Sequence, residues 1–105
     1  MAFAVQQDPD ERTFRLVGEL DLATADELLH HLGSAVKRGG DLRLHLGALR
    51  FMDSSGIRVL ISVCQELGDR GRMILSSPTG EVAKVLKLIR ADTFPNLVIE
   101  DGGGA

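Results

Sequence analysis

Hydrophobic and polar residues alternate along two early segments of the chain, and this spacing predicts β-strands. Between Thr13 and Leu20 every second residue, beginning with Phe14, is apolar or glycine, as in a strand with one buried face. A shorter candidate strand, Phe3–Gln7, precedes it across the turn-forming sequence DPDER at residues 8–12. Because the two segments are so close along the chain, we expect them to pair as an antiparallel hairpin.

Three further strands and three helices are predicted in alternation after this hairpin. The strands are Leu42–Leu46, Met73–Leu75 and Leu97–Ile99. Apolar residues at helical spacing follow Thr24 and Gly56, and a third such segment ends near Ile89. The expected buried stripes are Ala25, Leu28, Leu29, Leu32 and Val36 in the first helix, Ile57, Leu60, Ile61, Cys64 and Leu67 in the second, and Val82, Val85, Leu86 and Ile89 in the third.

Residue types at the helix ends support these boundaries. Thr24 and Glu27 have the spacing of a capping box at the start of the first helix. Ser77 is expected to cap the third helix, with Pro78 at its first position. Glycines in the sequence RGGD (residues 38–41) and at positions 68 and 71 are expected to end the first and second helices.

The order of these elements predicts an α/β fold with a mostly parallel, mixed sheet and right-handed crossovers. Two strands alternate instead of being continuously apolar, so we expect the helices to pack mainly on one face of the sheet. The strand order should then progress in one direction, without the switch-point crevice of dinucleotide-binding folds. We expect one domain over residues 1–105, with a flexible glycine-rich end at residues 101–105.

Composition narrows the classes of function. The 105 residues suffice for one hydrophobic core. A net charge of −3 and an aromatic content of 4% argue against a nucleic-acid-binding module. The N-terminus lacks the pattern of a secretory signal, and no apolar run approaches the length of a membrane span, so neither membrane insertion nor secretion is expected. The expected location is the cytoplasm.

Signatures of catalysis, cofactor binding and metal binding are not found in the sequence. There is no phosphate-binding glycine motif, and the segment DSSG (residues 53–56) lacks the flanking glycines of a nucleophile elbow. His30, His31 and His45 do not form a metal-ligand pattern and are expected to be surface residues. Cys64, the only cysteine, lies on an apolar stripe and is expected in the core.

The segment DSSG has two interpretations. In the structural one, Asp53 or Ser54 caps the second helix and Gly56 relieves crowding at a tight turn. In the functional one, Ser54 is the cap, and Ser55 is the first helical residue with a free hydroxyl. A phosphate on Ser55 would meet backbone N–H groups and the positive end of the helix dipole. It would change the local charge by about −1.5 to −2, as expected for a switch.

Three segments resemble, in order and spacing, the STAS domain of bacterial anti-sigma factor antagonists. They are GELDLAT (18–24), LRFMDSSG (49–56) and SSP…V…VLKL (76–88), and the resemblance extends from about Phe3 to Ile99. It implies a protein that is not an enzyme and that, when unphosphorylated, binds an anti-sigma factor and releases a sigma factor. The anti-sigma factor of such circuits, which serve stress responses or sporulation, is an ATP-dependent serine kinase.

The resemblance also implies which residues form the partner surface. The kinase would phosphorylate Ser55, the serine before the motif glycine, and a metal-dependent serine phosphatase would restore the binding form. Ser54 would then cap the helix while Asp53 helps to orient the kinase. The loop residues Asp21 and Thr24 are expected on the same edge as Ser55, although a turn-stabilising carboxylate and plain helix capping explain them as well. The complete predicted set is Asp21, Thr24, Asp53, Ser54, Ser55, Gly56 and Arg58.

Arg58 departs from the family pattern, because many members carry glycine or another small residue at this position. We expect its guanidinium near Ser55. Four roles stay open: it pairs with Asp53, holds a phosphate, selects an acidic partner, or is an exposed residue without a role.

The sequence leaves two alternatives to the antagonist function. The first is a STAS interaction module of a transporter or lipid-trafficking complex without a kinase switch; the intact DSSG and the lack of a fused segment count against it. The second is an enzyme or nucleotide-hydrolysing domain, for which the sequence supplies neither a P-loop nor a set of metal ligands.

Overall fold

A five-stranded mixed sheet is the framework of the computed structural model, which describes residues 3–100. The strands lie in the order β1-β2-β3-β4-β5, and only β1 and β2 are antiparallel. The predicted hairpin and the one-directional strand order are therefore confirmed. The predicted glycine-rich end, residues 101–105, lies outside the described residues. The strands are β1 (Ala4–Gln7), β2 (Thr13–Leu20), β3 (Leu42–Met52), β4 (Met73–Ser76) and β5 (Leu97–Glu100).

Three α-helices connect the parallel strands within residues 3–100: α1 (Ala25–Arg38), α2 (Ser54–Leu67) and α3 (Gly80–Leu88). Short 3-10 turns at Gly68–Arg70 and Ala91–Thr93 follow the second and third. Buried side chains of all three helices join those of β2, β3 and β4 in a single hydrophobic cluster, which is the core. None of these helices has the length and apolar character needed to cross a membrane.

The sheet face away from the core is only partly exposed to solvent. Arg15 is exposed and His45 is half-buried there, as the alternating pattern predicts. On β4, Ile74 and Ser76 pair with Arg43 and His45 of β3, so their side chains lie on the face away from the core. Both residues are nevertheless buried. The Ser76 hydroxyl lies 2.6 Å from His45 Nδ1, and an ion pair between Arg43 and Glu100 spans β4. Long polar side chains therefore cover this part of the sheet.

The predicted stripes of α1 and α2 were partly wrong. Leu29 is 40% exposed, and Ile57 and Ile61 are only half-buried, whereas Val59 and Val63 are buried. The reason is that α2 packs against α1 as well as against the sheet. Its buried face is therefore rotated toward α1, which includes Val59 and Val63 and leaves Ile57 and Ile61 at the margin. Cys64 is 1% exposed, as expected, and burial raises the pKa of its thiol, which donates to Asn96 Oδ1 at 2.9 Å.

The predicted starts of two helices also require correction. Thr24 precedes α1, but its side chain makes no capping hydrogen bond, so the capping box is wrong. Helix α3 begins at Gly80 after Thr79, and Ser77 does not cap it. The Ser77 N–H donates to the Glu100 carbonyl oxygen at 2.8 Å, which continues the pairing of β4 with β5 and delays the helix until after Pro78. Gly39 and Gly68 end α1 and α2 as predicted.

Candidate functional site

Two loops meet at the carboxyl ends of β2 and β3. Leu20 and Met52 are partners in the parallel register, and the Asp53 N–H donates to the Leu20 carbonyl oxygen at 3.1 Å. The loop that begins at Asp21 and the segment that contains Ser55 therefore lie side by side at one edge of the sheet. This is the arrangement expected from parallel strands, whose carboxyl ends share an edge.

Asp53 is the N-cap of α2, and the prediction that Ser54 caps this helix is wrong. Asp53 Oδ1 accepts hydrogen bonds from the N–H groups of Ser55 at 2.8 Å and Gly56 at 3.3 Å. A carboxylate at this position satisfies two helix-end donors and interacts favourably with the positive end of the helix dipole. Ser54 and Ser55 are consequently the first and second residues of the helix.

Because Asp53 supplies the cap, neither serine hydroxyl is needed for it. Ser54 is exposed and Ser55 is half-buried. Within residues 3–100, neither serine hydroxyl forms a hydrogen bond with the protein; Ser55 contacts the Asp53 carboxylate only through its backbone N–H. Both hydroxyls are thus chemically available, and the two residues differ in their surroundings.

Gly56 allows the first turn of α2 to rest directly on the sheet. A Cβ atom at this position would lie 2.7 Å from Met52 Cγ and 2.8 Å from Leu20 Cγ. Neither of these atoms is the far end of a flexible side chain, so the neighbours cannot move aside freely. The glycine therefore fixes how closely the Ser55 turn approaches the ends of β2 and β3.

Replacing Gly56 with alanine is expected to lower the free energy of unfolding by about 1–3 kcal/mol, because the added methyl overpacks the contact with Leu20 and Met52. Urea denaturation followed by circular dichroism measures this loss. Ser54→Ala is the control, since it changes the same helical turn without adding an atom near Leu20. A Gly56→Ala variant as stable as this control would contradict the close packing described above.

Asp21 and Thr24 turn inward and hold the shape of their loop. Thr24 Oγ1 accepts a hydrogen bond from the Asp21 N–H at 2.9 Å and lies 3.1 Å from the Glu19 carbonyl oxygen. Asp21 Oδ1 accepts from the Ala23 N–H at 3.0 Å and lies 3.2 Å from Thr24 Oγ1. The large apolar side chain that the loop presents to solvent is Leu22, which is 79% exposed, and Ala23 beside it is exposed as well.

A groove of about 280 Å³ lies between the N-terminal parts of α1 and α2, next to this loop. It combines an apolar surface with one acidic and one basic side chain. Two members of the predicted set, Ser55 and Arg58, line it; Asp21, Thr24, Asp53, Ser54 and Gly56 do not. The lining residues are Leu22, Ala25, Asp26, Leu29, Ser55, Arg58, Val59 and Ser62.

The sequence does not predict the two exposed apolar residues of this groove. The sequence pattern predicts no role for Leu22, and it predicts Leu29 in the core, whereas Leu29 is 40% exposed. The signal for Leu22 was available, because a leucine between a turn-forming Asp21 and Ala23 belongs to no apolar stripe. For Leu29 there was no such signal, since its helical spacing fits the buried stripe.

Arg58 is exposed at the rim of the groove. Within residues 3–100 its guanidinium forms no ion pair, and the Asp53 carboxylate is engaged as the helix cap. Pairing with Asp53, one of the four roles considered for Arg58, is therefore not observed. In the same part of the chain, no cluster of three or more His, Cys, Asp or Glu side chains is arranged to hold a metal ion.

A known protein family and several solved structures are similar to this chain. A family model described as the STAS domain matches residues 2–99. The anti-sigma factor antagonist SpoIIAA in its unphosphorylated form is 25% identical, with a TM-score of 0.65, and the match covers 92% of this chain and 87% of that one. The Bacillus cell fate determinant SpoIIAA in its phosphorylated form is 25% identical, with a TM-score of 0.67 and coverage of 93% and 90%.

A second antagonist of known structure is also similar. An anti-sigma factor antagonist from Mycobacterium paratuberculosis is 25% identical, with a TM-score of 0.75, and the match covers 92% of this chain and 84% of that one. The match to the family model, over residues 2–99, includes both loops of the candidate site.

Proposed function

Because the chain belongs to the STAS domain family, we propose that it is an anti-sigma factor antagonist, a regulatory protein that acts by binding and not by catalysis. In its unphosphorylated form it binds an anti-sigma factor at the Ser55 edge and thereby releases a sigma factor. The observation that carries this proposal is the groove in which a serine hydroxyl free of capping lies beside exposed leucines. The similarity to anti-sigma factor antagonists supports it.

The proposed switch is phosphorylation of Ser55. The anti-sigma factor acts as a serine kinase: Ser55 Oγ attacks the γ-phosphorus of ATP, the bond to the bridging oxygen breaks, ADP leaves, and the hydroxyl proton passes to a base of the kinase. A metal-dependent serine phosphatase reverses the modification, because a metal-activated water attacks phosphorus and releases inorganic phosphate, which restores the hydroxyl. The kinase reaction needs ATP, and the reverse reaction needs the phosphatase. We expect this protein to act in the cytoplasm, where both would be present.

The surroundings of Ser55 explain why a phosphate would oppose binding. Ser55 is half-buried, and its groove also contains Asp26. A phosphate adds about two negative charges at neutral pH. A partner seated in the groove would have to desolvate this dianion, and like-charge juxtaposition at an interface costs several kcal/mol.

The contact energy of the unphosphorylated form is expected to come mainly from the leucines. Leu22 and Leu29 provide exposed apolar area at the centre of the surface, whereas Asp26 and Arg58 supply charges beside them. This resembles an interface in which an apolar centre gives affinity and the charged surroundings give orientation. In this proposal Asp21 and Thr24 act indirectly, by holding Leu22 outward.

A Leu22→Ser variant is expected to bind the anti-sigma factor at least about tenfold more weakly, because it removes an apolar contact from the centre of the surface. Its free energy of unfolding should stay within about 0.5 kcal/mol of the wild type, since the side chain is exposed. Leu88→Ser is a matched control: Leu88 is 81% exposed but lies on α3, outside the groove. Equal affinities of the two variants, measured by isothermal titration calorimetry, would contradict the proposed surface.

Co-expression with the ATP-dependent serine kinases of the anti-sigma class from the same bacterium tests the function as a whole. We expect one of them to form a complex with the unphosphorylated chain, detected by native mass spectrometry. The same kinase should transfer the γ-phosphoryl group of ATP to Ser55 and lose the complex as it does so. If no kinase of this class binds or phosphorylates the chain, the proposal fails, and an interaction module without a kinase switch becomes the better explanation.

A further inference from the structure

Arg58 lies three residues after Ser55 on α2, and both side chains line the same groove. Residues at this spacing are neighbours on a helix surface, with Cβ atoms about 5–6 Å apart. Helical side chains lean toward the N-terminus of their helix. A long side chain at position 58 therefore extends back over the turn that contains Ser55, and not away from it.

The two groups have no competing partners in the described part of the chain. Within residues 3–100 the Arg58 guanidinium forms no ion pair. The nearest acidic residue along the chain, Asp53, directs its Oδ1 to the backbone N–H groups of the helix start. Asp26, the acidic residue on the α1 side of the groove, forms no ion pair with Arg58 in this part of the chain. Arg58 is thus a cation without a fixed counterion beside a serine hydroxyl.

We propose that Arg58 is the internal receptor for a phosphate group on Ser55. The inference rests on the proposed function, because it requires that Ser55 accepts the γ-phosphoryl group of ATP. The planar guanidinium donates two parallel N–H bonds to phosphate oxygens, a geometry that lysine does not offer. The pair forms inside the groove between α1 and α2.

This pairing gives the modification two effects on the partner surface. The Arg58 side chain is drawn from the rim into the groove, where it covers the apolar area around Leu22 and Leu29. The cation that the unphosphorylated form presents to a partner is neutralised at the same time. Asp26 repels the phosphate from the opposite wall, and Arg58 offsets this repulsion, so that the modified form keeps its fold.

Titration of the phosphate by ³¹P NMR tests this pairing without a partner protein. The full chain is produced with phosphoserine incorporated at position 55, and its second ionisation, near pH 6 in free phosphoserine, is followed. A nearby cation favours the dianion. We expect the second pKa of the phosphate to be lower by about half a unit in the wild type than in Arg58→Gln, a modest shift because the groove is open to water.

Two further variants make the comparison specific. Arg58→Lys keeps the positive charge but loses the two parallel N–H donors of the guanidinium. Its phosphate should therefore have a second pKa between those of the wild type and Arg58→Gln. Arg90→Gln removes the same charge from an exposed arginine outside the groove, and its phosphate should titrate like that of the wild type. Equal thermal unfolding of the unphosphorylated variants shows that the fold is unchanged.

An Arg58→Gln titration that coincides with the wild type would overturn the pairing. So would an Arg90→Gln variant with the same shift as Arg58→Gln, because the effect would then reflect net charge alone. Neither result bears on whether a kinase uses Ser55, since the phosphoserine is incorporated during synthesis. Failure of the proposed function, in contrast, would appear as absence of kinase binding and phosphorylation while the titration shift persists.

Discussion

Phosphoserine at position 55 is expected to lower the affinity of the chain for the proposed anti-sigma factor by at least about a hundredfold, because desolvating a dianion at an interface, or setting it against a like charge of the partner, costs several kcal/mol and each ~1.4 kcal/mol is a factor of ten. Ser55 is half-buried and lines the groove, so a partner seated there would have to strip water from the phosphate. Ser55→Ala should bind with nearly the wild-type affinity, since it removes only a hydroxyl that makes no contact essential to the fold.

Two control proteins, with phosphoserine at position 34 or 54, distinguish an effect of the phosphate's position from an effect of its charge. Phosphoserine at position 34 carries the same charge on an exposed residue of α1 that does not line the groove, and should reduce affinity only slightly. Phosphoserine at position 54 places the group one residue earlier, on the exposed side of the helix start. Titration calorimetry with the proposed anti-sigma factor measures all three phosphorylated proteins. A loss at position 55 no larger than at position 34 would contradict the proposed binding edge.

Gly71→Ala is expected to lower the free energy of unfolding by about 3 kcal/mol or more, at the upper end of the overpacking range. A Cβ atom on Gly71 would lie 2.1 Å from the Gly40 carbonyl oxygen and 2.5 Å from the Gly40 carbonyl carbon. These are backbone atoms, and they are fixed by hydrogen bonds from the Gly40 N–H to Arg70 and from the Leu42 N–H to Arg72. The backbone cannot move aside without breaking these bonds.

The effect of Gly71→Ala is steric, because the residue has an extended backbone with φ of 178° that any amino acid adopts. Gly33→Ala is the control: it lies in α1 with nothing within 4 Å of the added Cβ. Alanine in a helix interior is favoured over glycine, so this variant should gain up to about 1 kcal/mol. Urea denaturation measures both changes. A loss below about 1 kcal/mol for Gly71→Ala would contradict the close approach of Gly40 and Gly71.

The fold was predictable because its strands alternate and its helices are separated by turn residues. The predicted bounds Thr13–Leu20 of β2 agree with the structure, since every inward side chain of this strand contacts the core. Tertiary contacts changed the rest. Packing of α2 against α1 buried Val59 and Val63 in place of Ile57 and Ile61, and no periodicity within one helix reports the position of a neighbouring helix.

The position of the candidate site at one edge of the sheet was predictable from the sequence, but the side chains exposed there were not. Motif spacing placed the Asp21 loop beside Ser55, because parallel strands bring their carboxyl ends together. It did not decide between Asp53 and Ser54 as the cap, since both residue types are good N-caps. The outward direction of Leu22 depends on hydrogen bonds within the folded loop, from the Asp21 N–H to Thr24 Oγ1 and from the Ala23 N–H to Asp21 Oδ1.

The phosphorylation state of Ser55 in the native host tests the central claim most directly. Arg50 and Arg58 bracket the motif, so trypsin should release Phe51–Arg58 as one peptide. The protein is purified from cells grown under several conditions, and the phosphate on this peptide is located by tandem mass spectrometry. Phosphate on Ser55 that rises and falls with the conditions is the predicted result; a peptide that stays unmodified in every condition, or carries phosphate only on Ser54, would contradict it.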